Sequence, residues 1–336
     1  MAELGEFELI ERFFDRPARD ADVVVGVGDD AAVLRVAAGH ELVLAVDMMV
    51  EGRHFLAGTD PERLGHKILA VNLSDMAAMG ARPRWALLAG ALPDSDPDWL
   101  EAFSRGLFAL ADAHDVALVG GDTTRGPRNL CLTIAGEVPI GQAIRRAGAR
   151  PGDDVWVSGE LGGAMLALAA MQGRTTLARY ELVPLARRLE RPEPRVALGI
   201  ALRGTASAML DVSDGLSGDL GHILDASAVG ARVDLARIPC APALAERRDG
   251  PERELALACL LAGGDDYELL FTAPNVARER VAAIGQAFGV RLTRIGNVTP
   301  PGSGLVVRAE SGDALSVLPR AFDHFAAPAA GPGGRG

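Results

Sequence analysis

Short β-branched runs that break off in acidic, glycine-flanked turns recur along this chain: VVVGVGDD at Asp29 and Asp30, LVLAVD at Asp47, VALVGGD at Asp122, and SAMLDVSDG at Asp211 and Asp214. Runs of this length and composition read as strands. A carboxylate after each one sets negative charge at the strand ends. A single such Asp is an ordinary turn or cap residue. Several gathered at one end of a sheet repel one another unless a hard cation neutralises them. With no cluster of His and Cys beside them the donors are all oxygen, which selects Mg²⁺ over Zn²⁺. Mg²⁺ in turn works with substrate phosphates.

Between the strands the periodicity turns helical. Phe7, Ile10, Phe13 and Phe14 predict a short amphipathic first helix. Residues 23–25 and 41–46 read as strands, 66–79 as a buried helix ended by Gly80 and Pro83, and 84–92 as a returning strand. Asp96 before Pro97 is a helix N-cap with Pro at the first position, and Leu100, Phe103, Leu107 and Leu110 keep one face to about His114. Strands follow at 116–119 and 130–138. After a Pro- and Gly-rich stretch at 139–153 the flavour repeats, with strands at 155–158 and 208–212 and helices at 164–171 and 216–227. IAGEVP near 134 echoes in RIGNVTP near 295. The expectation is an α/β protein of α+β type with two domains, 1–138 and 154–325, joined by a linker at 139–153 and trailed by a disordered tail at 326–336.

Size agrees, since 336 residues exceed the roughly 250 at which single cores stop growing. A net charge of -11 repels phosphate backbones and anionic lipid, so nucleic acid and membrane surfaces are poor partners. No apolar run approaches the ~20 residues that span a bilayer. The first residues carry Glu3, Glu6, Glu8 and Glu11 where a signal peptide is basic and apolar, so a cytoplasmic location is expected. Cys131, Cys240 and Cys259 are scattered in apolar stretches and read as core residues.

Further candidates follow from charge and glycine. Asp75 lies inside an apolar helix, where an unpaired carboxylate costs several kcal/mol, so it needs a hydrogen-bond partner or a metal. The glycine-rich stretches VGGDTTRGP and SGELGGAML could present main-chain amides to phosphates, the second at a helix N-terminus. Arg145 and Arg146 supply cations. GVGDDA matches a dinucleotide fingerprint, but 31–41 is too short for the crossover helix and two adjacent Asp oppose a pyrophosphate. No phosphate-binding GxxxxGK[ST] loop is present.

Taken together, GVGDDAAV, VEGRHF, KILAVNLSDMAAMGARP, GGDTTRGP, RRAGARPGD, DVSDGLSGDLGHI, GGDDYELLFT and FDHF resemble, in order and over nearly the whole chain, the thiamine-monophosphate kinase branch of the aminoimidazole ribonucleotide synthetase (PurM-like) superfamily. The resemblance implies a first domain whose sheet pairs with its twin in a homodimer, a second α/β domain packed beside it, and ATP held with several Mg²⁺ ions between them. It assigns Asp30, Asp47, Asp75, Asp122, Asp211 and Asp214 as metal ligands and Gly121, Asp122, Arg146 and Ser213 as nucleotide contacts. His54, Asp265 and Phe322 correspond to the site of the acceptor, thiamine monophosphate; Asp30, Asp75 and Asp122 carry the catalytic role. Ala45 and Val46 stand where the family usually has Ser and Thr, and Asp265 where it has Glu.

The reaction implied is in-line transfer of the ATP γ-phosphoryl group to the acceptor's phosphate, in which the protein contributes alignment and charge neutralisation. Two alternatives stay open on the residues alone: an ATP-dependent synthetase of the same superfamily, and a nucleotide-binding regulator without turnover.

Overall fold

The computed structural model describes residues 5–16, 21–309 and 311–319. Helix α1 (Glu6–Phe13) leads to a small hairpin of β1 (Val23–Val25) and β2 (Val33–Leu34), then to β3 (His40–Val50), α2 (Pro61–Ala78), β4 (Arg82–Leu92), α3 (Pro97–Ala113), β5 (Ala117–Arg125) and β6 (Asn129–Pro139). Helix α2 starts ahead of the expected 66 because Asp60 caps it, accepting the Arg63 N–H at 3.1 Å with Pro61 behind it. Asp96 caps α3 as expected, accepting the Asp98 N–H at 3.0 Å.

The four long strands form a sheet in the order β3-β6-β4-β5, antiparallel except for the parallel β4 and β5 pair. Helices α2 and α3 cover one face. They approach backbone to backbone, since a β-carbon on Gly65 would lie 2.0 Å from the Phe103 carbonyl and one on Gly106 1.8 Å from that of Glu62. The opposite face is partly open. The hairpin β1–β2 covers Trp85, which is packed with Val23, Ala32 and Leu34. Beyond it Leu42, Leu44, Val46 and Met48 of β3 are 47–64% exposed, while Met49 on the other face is buried.

The second half runs β7 (Asp154–Ser158), α4 (Gly163–Met171), α5 (Arg179–Glu190), α6 (Val196–Ala201), β8 (Ala208–Asp211), α7 (Leu216–Ser227), β9 (Gly230–Asp234), α8 (Pro242–Ala245), α9 (Arg253–Ala262), β10 (Leu269–Ala273), α10 (Arg278–Phe288), β11 (Leu292–Thr299) and β12 (Leu305–Arg308). Its sheet has the order β12-β9-β11-β7-β10-β8. Alternation divides it between two cores. Val155, Val157, Leu210 and Leu270 join residues of α4, α7 and α9, whereas Trp156, Met209, Leu269 and Phe271 join the core that contains α2 and α3.

Helix α2 is therefore shared by both halves, and 14 of its 18 residues are buried. Leu64, Ile68, Leu69, Leu73 and Met76 are each at most 1% exposed, which at about 1.5–3 kcal/mol per side chain makes this helix the main apolar anchor. Polar groups on such a helix must face partners, and those partners mark the site. Among the described residues no helix is long and apolar enough to cross a membrane. Residues 320–336, including Phe322 and the expected tail, lie outside the described residues.

The expected strand ends need two corrections. Strand β3 runs through Asp47 to Val50 and β5 through Asp122 to Arg125, so these carboxylates sit within strands instead of in turns. Both strands extend further because each pairs along its length with a long neighbour, β3 with β6 and β5 with β4.

Candidate active site

One group of acidic residues converges where α2 meets the second sheet. Asp75 comes from α2, Asp47 from the inner face of β3, Asp211 from the end of β8, and Asp214 from the turn into α7. The Ser74 hydroxyl, one residue from Asp75, donates to Asp211 Oδ2 at 2.6 Å. Burial first, and then the charges of Asp211 and Asp214, push the Asp47 carboxyl up to about 6. Asp75 is also raised, by burial and then by Asp211 and Asp47, with Arg146 opposing. Asp211 is raised chiefly by burial, against the Ser74 hydrogen bond and Arg146. The cause is electrostatic: carboxylates removed from water and facing one another cannot all ionise without added positive charge.

Arg146 belongs to a segment pinned in place by Met209 N–H donating to the Arg145 carbonyl at 3.0 Å and by the Ser227 hydroxyl donating to its own carbonyl at 3.2 Å. Asp219, which the motifs do not single out, completes the group. It accepts the N–H groups of Asp214 and Gly215 at 3.1 and 3.0 Å and is pushed up to about 7 by burial, Asp211 and Asp214. The donors are all oxygen, as Mg²⁺ prefers. Among the described residues no group of three His, Cys, Asp or Glu side chains is placed to hold a metal ion by itself.

Asp30 and Asp122 are elsewhere. Across the sheet Asp122 is level with Ala89, Cys131 and the exposed Met48, whereas Asp47 is level with Leu132, Leu88 and Gly121. Cross-strand partners share a face, so Asp122 belongs to the open face and Asp47 to the helix-covered one. Asp30, in the β1–β2 loop, and Asp122 with Gly121 line one cavity of about 1290 Å³, which takes in Leu42, Leu44 and Leu87 of the open face and reaches Phe14, Leu100 and Phe103 beside α3. The expectation that Asp30, Asp47, Asp75 and Asp122 meet is thus not met within one chain, because the two-residue period of β3 and β5 turns Asp47 and Asp122 to opposite sides. Gly121 is required by sterics: a β-carbon there would lie 1.9 Å from the Leu88 carbonyl.

The expected phosphate turns are also revised. VGGDTTR is strand β5. The α4 N-terminus in SGELGGAML is already occupied, since Gly162 N–H donates to the Asp266 carboxyl at 2.7 Å. Burial holds that carboxyl well above its ordinary range.

His54 follows β3, and its Nδ1 accepts the Val50 N–H at 3.0 Å, so a neutral ring carries its proton on Nε2. The loop is tied down by Arg128 to Glu51 at 3.0 Å. Asp265 sits beside the Asp211–Asp214 turn: its N–H donates to the Ser213 carbonyl at 3.0 Å, and Tyr267 N–H to that of Val212 at 2.8 Å. Asp265 and Tyr267 hold left-handed backbone at φ 65° and 50°, a strain of roughly 1–2 kcal/mol each that concentrates at functional sites.

Comparison with known proteins agrees with this architecture. Residues 28–138 match AIR synthase related protein, N-terminal domain, and 150–308 match its C-terminal domain. The two sheets with an acidic crevice between them are thus those of an AIR synthase related protein. The thiamine-monophosphate kinase of Escherichia coli (strain K12) is 45% identical over 326 residues, covering 96% of this chain and 99% of that one. The solved thiamine-monophosphate kinase from Stenotrophomonas maltophilia K279a is 47% identical with a TM-score of 0.83, covering 94% and 99% of the two chains. AaThiL complexed with AMPPCP and TMP is 30% identical with a TM-score of 0.74, covering 86% and 89%. The chain belongs to the thiamine-monophosphate kinase family of phosphotransferases.

Proposed function

We propose that this chain transfers the γ-phosphoryl group of ATP to thiamine monophosphate, giving thiamine diphosphate and ADP, with several Mg²⁺ ions bound. The observation that carries the reading is the crevice in which burial raises Asp47, Asp75 and Asp211, Asp211 adding to the first two and Arg146 opposing at Asp75 and Asp211, in a chain of this family. Asp30, Asp47, Asp75, Asp122, Asp211 and Asp214 are the metal ligands in this account, and the ions, when bound, neutralise charge on the β- and γ-phosphates. Gly121, Asp122, Arg146 and Ser213 hold the nucleotide between a domain of 1–138 and one of 154–325; His54, Asp265 and Phe322 hold the acceptor. Asp30, Asp75 and Asp122 are the residues whose loss stops turnover.

The attacking group is an oxygen of the acceptor's phosphate, anionic near neutral pH, so no general base is required and no phosphoenzyme forms. The open face of the first sheet, with its exposed row Leu42, Leu44, Val46 and Met48, supports a homodimer through that face. Asp30 and Asp122 then enter the interface, and each nucleotide site draws on two copies.

The test is product stoichiometry. With ATP, Mg²⁺ and thiamine monophosphate, thiamine diphosphate and ADP should appear in equal amounts without free phosphate. Release of phosphate with the thiamine compound untouched would point to a synthetase, and no change at all to a binder.

A further inference from the structure

Lys67 is the only lysine in the chain; the other 33 of its 34 basic residues are arginine. It lies on α2 seven positions before Ser74, two turns along the same stripe. Both side chains reach carboxylates of the second half. Ser74 bonds Asp211, and Lys67 Nζ lies 3.1 Å from Asp265 Oδ1, with the lysine side chain 6% exposed and the aspartate 29%. The Tyr267 hydroxyl donates to the same oxygen, Oδ1, at 2.9 Å. Oδ1 is thus the oxygen paired with both groups, and Oδ2 accepts no hydrogen bond among the described residues.

A buried ion pair contributes little net stability, and two strained backbones contribute none, so what this arrangement gains is orientation. The choice of cation fits that purpose. A planar guanidinium fork engages a carboxylate through both oxygens, whereas a compact ammonium can satisfy one and leave the other. An arginine here would occupy Oδ2. In a chain that uses arginine everywhere else, lysine stands at this buried carboxylate contact.

We propose that Lys67 and Tyr267 are positioning residues that fix the Asp265 carboxylate through Oδ1 and leave Oδ2 for the cationic ring of the acceptor. The proposal rests on the reading of Asp265 as an acceptor contact.

Steady-state kinetics of K67R, K67M, Y267F and D265N, with acceptor and ATP varied separately, test it. Both Lys67 variants should raise the acceptor KM at least about tenfold and Y267F by a smaller factor, with the ATP KM within about twofold of the parent. K67R should fail to rescue, although it keeps the charge. K67M added to D265N should cause no further rise in acceptor KM. Parent-like kinetics in K67R, or equal rises in both KM values, would overturn the proposal. An unchanged acceptor KM in D265N would remove the underlying reading of Asp265. A raised one in D265N with unchanged values in K67R and Y267F would remove this inference alone. Should K67M not fold, K67R and Y267F decide.

Discussion

Mixing protein carrying Asp75→Asn with protein carrying Asp122→Asn should restore activity that neither has alone. Asp47, which shares its crevice with Asp75, lies on β3, and Asp122 lies on β5, the two outer strands of a four-stranded sheet. Three interstrand spacings of about 4.8 Å separate them by roughly 14 Å, and they point to opposite faces. Mg²⁺ bonds oxygen at about 2.1 Å, so two carboxylates on one ion have oxygens within about 4–5 Å of each other. One chain cannot close an ion on both. If a second copy on the open face supplies Asp30 and Asp122, each mixed dimer holds one site with both substitutions and one with neither. Random re-pairing makes half the dimers mixed, so activity should approach about a quarter of the parent's. The assay is thiamine diphosphate formation after the two variants are co-expressed with different tags. Recovery of none, with mixed dimers verified by the tags, would show that each site takes Asp75 and Asp122 from one chain.

Gly121→Ala should force β4 and β5 apart, because its β-carbon would lie 1.9 Å from the Leu88 carbonyl. At about 1–3 kcal/mol for overpacking, a melt of a 336-residue chain should show Tm lowered by roughly 1–4 °C, and an unchanged Tm would contradict the packing. Ser74→Ala removes the hydroxyl donor to buried Asp211, a charged hydrogen bond of about 1.5–3 kcal/mol, so half-maximal Mg²⁺ should rise about tenfold or more in an activity titration. An unaltered Mg²⁺ requirement would show that Asp211 needs no such donor. Without divalent ions Asp47 titrates near about 6, above the ordinary Asp value of about 3.9 in the unfolded chain. A raised carboxyl stabilises fully below the unfolded value and loses that contribution as pH rises through the folded one. Ion-free protein should therefore melt lower as pH rises from about 4 to about 7, and Mg²⁺ should raise Tm most at the upper end; a Tm that climbs over this window without ions would refute the cluster.

What local chemistry dictates was readable in the sequence, and what pairing dictates was not. Helix α7 runs from Leu216 to Ser227 as its periodicity implies, and the Asp96 cap with Pro97 starts α3. Asp47 and Asp122 were visible as acidic residues after apolar runs, but their faces depend on strand partners outside the local sequence, Leu132 for Asp47 and Ala89 of β4 for Asp122. Asp219 shows no local signal that distinguishes it from a solvent-facing helix carboxylate; only the fold turns it onto the Asp214 and Gly215 amides. Lys67 did carry a signal, in composition instead of motif. The α4 turn looked open to phosphate because its blocking group, Asp266, is about 100 residues away.

Mn²⁺, whose paramagnetic resonance reports its coordination, can stand in for Mg²⁺ beside a non-hydrolysable ATP analogue. Titrated into the parent protein, the bound-ion signal should saturate with more than one ion per chain and depend on the nucleotide, and both Asp47→Asn and Asp75→Asn should abolish a share of it. Identical titrations in parent and variants would mean that the crevice carboxylates do not hold the ions.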